Sequence, residues 1–177
     1  MHLLKLTRPI NLIVIALTMV GIRFLFLKEL NDVPYFQSTF EQLDFFLLVF
    51  STVLIAAGGN IINDYFDVKA DKINKPNKVI IGKFVKPRLA IVLHWILNFL
   101  AFSIALYLSW QQHSFWYLFI HLFSINALWM YSTQLKRRFL IGNIVIAALT
   151  GLVPILSALY FINSAHLQVA EVDLSTT

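Results

Sequence analysis

Asn63, Asp64, Asp67 and Asp71 lie in the run Asn60-Ile-Ile-Asn63-Asp64-Tyr-Phe-Asp67-Val-Lys-Ala-Asp71. Read as a helix, it puts Asn63, Asp67 and Asp71 at i, i+4 and i+8, and Asp64 joins them through its i+3 relation to Asp67. Three carboxylates and a carboxamide then share a stripe about 12 Å long at about 1.5 Å per residue. Like charges at that spacing destabilise an isolated helix, so something cationic should offset them. A divalent ion suits: magnesium is commonly held by one or two carboxylates while phosphate oxygens and waters complete its octahedron. Lys69, Lys72, Lys75, Lys78, Lys83, Lys86 and Arg88 follow and supply phosphate-binding donors. The combination suggests a metal-diphosphate site. A solvated helix end, its Asp and Lys paired at i, i+4 in the headgroup region, is the competing reading. An EF-hand is excluded, because Asp67-x-x-x-Asp71 lacks that loop's alternating oxygen ligands and its Gly.

The elements that must carry this stripe are apolar. Of 177 residues, 59% are hydrophobic and only 13% charged, and the mean hydropathy is +0.75, so the lipid bilayer is the natural solvent. Without Cys, disulfides, thiolate metal sites and Cys-based catalysis are excluded. A span needs roughly 20 apolar residues, and five segments approach this, near 10–27, 44–63, 89–110, 114–132 and 140–162. The expected fold is all-α, a polytopic transmembrane helical bundle of about five spans over residues 1–163, with 164–177 as a tail. The segment 10–27 is long enough to span, and no small-residue cleavage site follows it, so it does not read as a signal peptide.

Charge orients the bundle. Twelve of the fourteen Lys and Arg fall on one side, before the first span, after the second and before the fifth. Lys28, Glu29, Asp32, Glu41, Asp44, Glu171 and Asp173 fall on the other. The positive-inside bias makes the N-terminus and the Asp-rich loop cytoplasmic in an integral protein of the cell (inner) membrane. The net charge of +5 does not point to nucleic acid, since its cations sit in short loops interleaved with Asp. The connection 64–88 is long enough to be functional.

At the acidic run the chain resembles the UbiA superfamily of intramembrane prenyltransferases, whose first Asp-rich motif, Asn-Asp-x-x-Asp-x-x-x-Asp, reads NDYFDVKAD at residues 63–71. Leu6-Thr7-Arg8-Pro9-Ile10-Asn11, Lys72-Ile-Asn-Lys75-Pro76-Asn-Lys78, and Tyr131-Ser132-Thr-Gln-Leu135-Lys136-Arg137 ahead of Leu140-Ile-Gly142-Asn143 agree in order. The resemblance covers residues 1–160, the N-terminal half of a usual member. It implies Mg2+ held by Asp64, Asp67 and Asp71, and an isoprenyl diphosphate bound by Asn63, Lys75, Lys78 and Lys136. Asp67, Asp71, Tyr131 and Lys136 would act at the reacting centre. The implied reaction ionises the allylic carbon–oxygen bond and transfers the prenyl group to a lipophilic, aromatic or glycerol-phosphate acceptor. Phe99, Phe102, Trp129 and Tyr131 would line the tail, although packing or lipid contact is the alternative role for each. The phrasing INDYFDVKADKINKPNKVIIGK most resembles members of the geranylgeranylglycerol-phosphate geranylgeranyltransferase type.

The chain departs from the pattern in its second half. Members have about nine spans and a second Asp-rich motif, whereas after Asp71 this sequence has only Glu171 and Asp173 as acids. The reading is therefore of a truncated partial UbiA-type fold, weakly active or inactive alone. The competing functions are a membrane transporter or carrier subunit that binds phosphate or a divalent cation, and a non-catalytic partner. Arg23 reads as a snorkelling residue, His94, His113 and His121 as non-metal histidines, and Pro154 as a helix kink.

Overall fold

The computed structural model describes residues 2–27 and 42–175, with side chains described for 2–25, 43–160 and 162. The helices are α1 (His2–Leu6), α2 (Pro9–Ile22), α3 (Gln42–Asn74), α4 (Pro87–Gln111), α5 (Trp116–Thr133) and α6 (Ile141–Ser175). A π-helical turn, Arg23–Leu27, extends α2, and 3-10 turns at Pro76–Lys78 and Leu135–Arg137 occupy connections. Proline at the first position of α2 and of α4 starts each helix where a missing N–H has no consequence. All five apolar segments are helical. Three helical stretches, Leu43–Asn74, Pro87–Gln111 and Ile141–Tyr160, are long and apolar enough to cross a membrane, and Pro9–Leu25 is a shorter apolar helix. The fourth segment, α5, has 18 residues and carries His121, Ser124 and Asn126 along its length. Lys28, Glu29, Asp32 and Glu41 lie outside the described residues.

The 33 residues of α3 extend about 50 Å, against about 30 Å of hydrocarbon. The helix therefore outruns the apolar core by several turns, and the acidic stripe stands on the part that projects. Residues 64–74 of the long connection are thus helix, and the connection proper is 75–86. Residues 164–175 continue α6 without a break.

Among the described residues, three apolar clusters hold the bundle together, one of them, Leu54, Ile55 and Ala101, midway along α3. Met19, Leu48, Leu108, Tyr117, Leu156 and Tyr160 form another towards the start of α3. Leu6, Ile61, Ile81, Val85 and Ala90 form the third beside the stripe, fastening α1 and the 75–86 connection to α3. Between α3 and α4, His94 Nδ1 lies 2.9 Å from the Gly58 carbonyl, and buried Asn98, bonded to the His94 carbonyl at 3.0 Å, packs beside it.

Candidate functional site

One face of α3 carries Thr52, Ile55, Ala56, Gly59, Asn60 and Asn63, at the 3-and-4 spacing of a helical stripe, and this face walls a cavity of about 340 Å3. Opposite stand Ile120, His121, Ser124, Leu128 and Tyr131 of α5, Ile146 to Leu156 of α6, and Asn11 and Ile15 of α2. The cavity is amphiphilic along its length. Arg8, Asn60, Asn63 and Tyr131 gather at one end, whereas Ile15, Ile120, Val153 and Leu156 dominate the other. From Asn63 to Thr52 the wall runs about 16 Å along the helix axis.

The polar end is held by two ion pairs. Arg8 Nη2 donates to Asp64 Oδ1 at 2.5 Å, and Lys136 Nζ pairs with Asp67 Oδ2. Lys136 also donates to Asn63 Oδ1 at 3.1 Å, and Asn63 Nδ2 donates to Asp67 Oδ2 at 3.2 Å, so Asn63, Asp67 and Lys136 form one knot. Both carboxylates are only about a quarter exposed, at 23% each. The close like charges of the helix are thus offset by cations arriving from two other elements.

Backbone geometry delivers those cations. Arg8, just before α2, has φ 53° and ψ 66°, a left-handed conformation uncommon outside glycine. Lys136 sits in the turn between α5 and α6, where Gly142 approaches closely: a Cβ there would lie 3.0 Å from the Leu135 carbonyl oxygen and 3.2 Å from Lys136 Cα. At the deep end His121 is fully buried, with Nδ1 2.8 Å from the Tyr117 carbonyl and Nε2 3.1 Å from Ser51 Oγ. A carbonyl only accepts, so Nδ1 carries the proton, while the single Ser51 hydroxyl proton goes to the Leu48 carbonyl at 2.9 Å and leaves Oγ beside Nε2.

Of the residues singled out in the sequence, Asn63, Asp64, Asp67, Lys136 and Tyr131 come together here. Asp71 is a turn further out and partly buried, and its carbonyl accepts from Lys75 N–H at 2.8 Å. Lys75 and Lys78 are exposed and make no contact with the carboxylates. Phe99, Phe102 and Trp129 do not line the cavity: Phe99 is 68% exposed, and Trp129 packs against Phe66, His94 and Trp95. Arg8 is the addition. Its place in the Leu6–Asn11 run was the available signal.

Among the described residues, no three His, Asp or Glu side chains converge closely enough to hold a metal by themselves. The donor chemistry nonetheless fits magnesium. Asn63, Asp64 and Asp67 offer hard oxygen atoms, and this ion takes one or two carboxylates when phosphate oxygens and waters supply the rest.

A long apolar helix that carries its carboxylates beside cations, next to a cavity between packed helices, defines a class of helical membrane protein. Residues 10–172 match the UbiA prenyltransferase family, and the chain belongs to that family. It is 34% identical over 159 residues to a digeranylgeranylglyceryl phosphate synthase of Thermococcus sibiricus, covering 88% of this chain and 51% of that one. Against the synthase of the same name from Methanosarcina mazei it is 35% identical over 131 residues, covering 74% and 44%. A solved structure reported under "Structural and mechanistic insights into the biosynthesis of Digeranylgeranylglyceryl phosphate synthase in membranes" superposes with a TM-score of 0.72 at 26% identity. That match covers 90% of this chain and 52% of the other. The chain spans about half the length of the curated relatives it matches.

Proposed function

We propose that this chain binds an isoprenyl diphosphate, with Mg2+, for prenyl transfer to a glycerol-phosphate lipid. On the relatives' names, the donor is geranylgeranyl diphosphate and the acceptor a hydroxyl of geranylgeranylglyceryl phosphate. The observation that carries this reading is the amphiphilic cavity, with Arg8, Asn63, Tyr131 and the flanking carboxylates at one end and aliphatic walls at the other. A diphosphate at the mouth leaves its tail to run between α2, α3, α5 and α6, so the reacting carbon stays out of water.

Asp64 and Asp67, with Asn63 and the outlying Asp71, would hold the metal, and bound magnesium neutralises diphosphate charge and so favours its departure. Arg8 and Lys136 would turn from their carboxylates to the phosphate oxygens and stabilise the leaving group electrostatically. Tyr131, on the cavity wall below them, would face the allylic carbon, its ring stabilising positive charge. The allylic carbon–oxygen bond breaks with its electron pair on diphosphate. The acceptor oxygen then bonds to that carbon and gives its proton to the departed diphosphate. On this reading, the basic side of the bundle with the mouth is cytoplasmic.

The test uses the 177-residue chain in lipid nanodiscs. Geranylgeranyl diphosphate should protect residues 64–88 from hydrogen exchange only with Mg2+ present, and Asp67→Ala should abolish the protection. Metal binding indifferent to the isoprenoid would instead support a cation carrier.

A further inference from the structure

We propose that Asn60 is a positioning residue that sets the left-handed turn aiming Arg8 at the diphosphate. The inference rests on the diphosphate reading above, but its structural core is independent of it. Asn60 Nδ2 donates to the Thr7 carbonyl at 2.9 Å, a link across 53 residues and the nearest side-chain restraint on the backbone ahead of Arg8. Arg8 then adopts φ 53°, which a residue with a Cβ takes up only when its surroundings enforce it. Its guanidinium reaches Asp64, one helical turn beyond Asn60 on the same helix. Two residues of α3, spaced i and i+4, thus grip the backbone and the side chain of one segment.

The remaining restraints on that segment explain why Asn60 is needed. Leu6 is fully buried against Ile61, which anchors the chain just before the turn. Pro9 fixes the start of α2 just after it, and the Arg8 carbonyl accepts from Asn11 N–H at 2.9 Å. The peptide between Thr7 and Arg8 is held at its N–H by the Lys5 carbonyl at 3.2 Å, a bond local to the segment, and at its C=O by the Asn60 amide, which ties it to α3. Because Asn60 also lines the cavity, its loss would leave the Thr7 carbonyl without its donor beside the mouth. Arg8 could then relax out of the left-handed region, carrying its guanidinium away from the phosphate position.

The experiment is a double-mutant cycle on the full chain in nanodiscs, with Mg2+ and geranylgeranyl diphosphate as the probe. Asn60→Ala should weaken binding by about 3- to 10-fold, as expected for one lost hydrogen bond, and Asn60→Gln, which keeps an amide donor, should recover part of it. In the Arg8→Ala background the same Asn60→Ala change should have no further effect, because the residue acts through Arg8. Independent, additive losses or an unaltered Asn60→Ala protein would overturn the proposal. Hydrogen exchange without ligand gives the second measurement: Asn60→Ala should speed exchange of the Asn11 and Leu12 amides, both donors to the Arg8 carbonyl, and leave the middle of α4 unchanged. Unchanged exchange at Asn11 and Leu12 would also overturn it, even with folding intact. If the unsubstituted chain fails to bind the probe, the diphosphate reading falls, and the exchange result still decides whether Asn60 controls the turn.

Discussion

At the scale of single residues, the proposed function would have Arg8, Lys136 and a metal compete for the same carboxylates. Lys136 occupies Asp67 and Asn63 in the ligand-free arrangement, so Mg2+ alone must displace it, whereas Mg2+ with diphosphate gives the displaced ammonium a new partner. Lys136→Gln should therefore tighten binding of Mg2+ alone and weaken binding of pyrophosphate with Mg2+, by about tenfold or more for a lost charged hydrogen bond. Calorimetry with each probe checks this, and two changes of the same sign would contradict it. The carboxylates were legible in the sequence because a helical period within one segment puts them together. Arg8 was not, since its partner lies 56 residues away and its direction depends on a left-handed backbone that no spacing rule encodes. Lys75 and Lys78, which the family resemblance assigns to the diphosphate, stand apart from the carboxylates. Helix α3 carries them past the carboxylates to an exposed turn.

Among elements, the decisive contacts are those where helices meet with no room between them. At Gly142 a Cβ would press on backbone, the Leu135 carbonyl and Lys136 Cα, and backbone cannot swing aside. At Gly59 it would come within 2.8 Å of Leu128 Cδ1, the flexible end of a side chain. Gly142→Ala should accordingly destabilise by about 1–3 kcal/mol and also weaken diphosphate binding, because the turn that must move carries Lys136. Gly59→Ala should be milder in thermal unfolding and should act by pushing Leu128 into the cavity. Equal effects on stability and binding would contradict this ranking. Helix positions were legible from apolar runs, but α6 shows the limit. Apolar density falls after 163, yet the helix runs to Ser175, so hydropathy marks the end of the apolar stretch and says nothing of where the helix ends.

For the molecule as a whole, the bundle must offer an apolar surface outward to lipid and another inward to the cavity, and composition cannot tell the two apart. Phe99, Phe102 and Trp129 show the consequence: as aromatics near the motif they suited a tail pocket, but the packing of α3 against α4 and α5 turns them elsewhere. The inward surface is instead aliphatic interspersed with Thr52, His121 and Thr150, with Ser124 as a small residue on the wall between Tyr131 and His121. Ser124 therefore offers a way to separate headgroup binding from tail binding. Ser124→Trp puts a large ring into the cavity at about 10 Å below Tyr131 along α5, without touching the ion pairs. Binding of pyrophosphate with Mg2+ should be retained within about twofold, while geranylgeranyl diphosphate should lose at least about tenfold, the equivalent of a few methylenes no longer buried. Shorter isoprenyl diphosphates should lose progressively less. Equal losses for pyrophosphate and for the long-chain ligand would mean that the tail does not enter between α3 and α5, and the cavity would then serve the bundle in some other way.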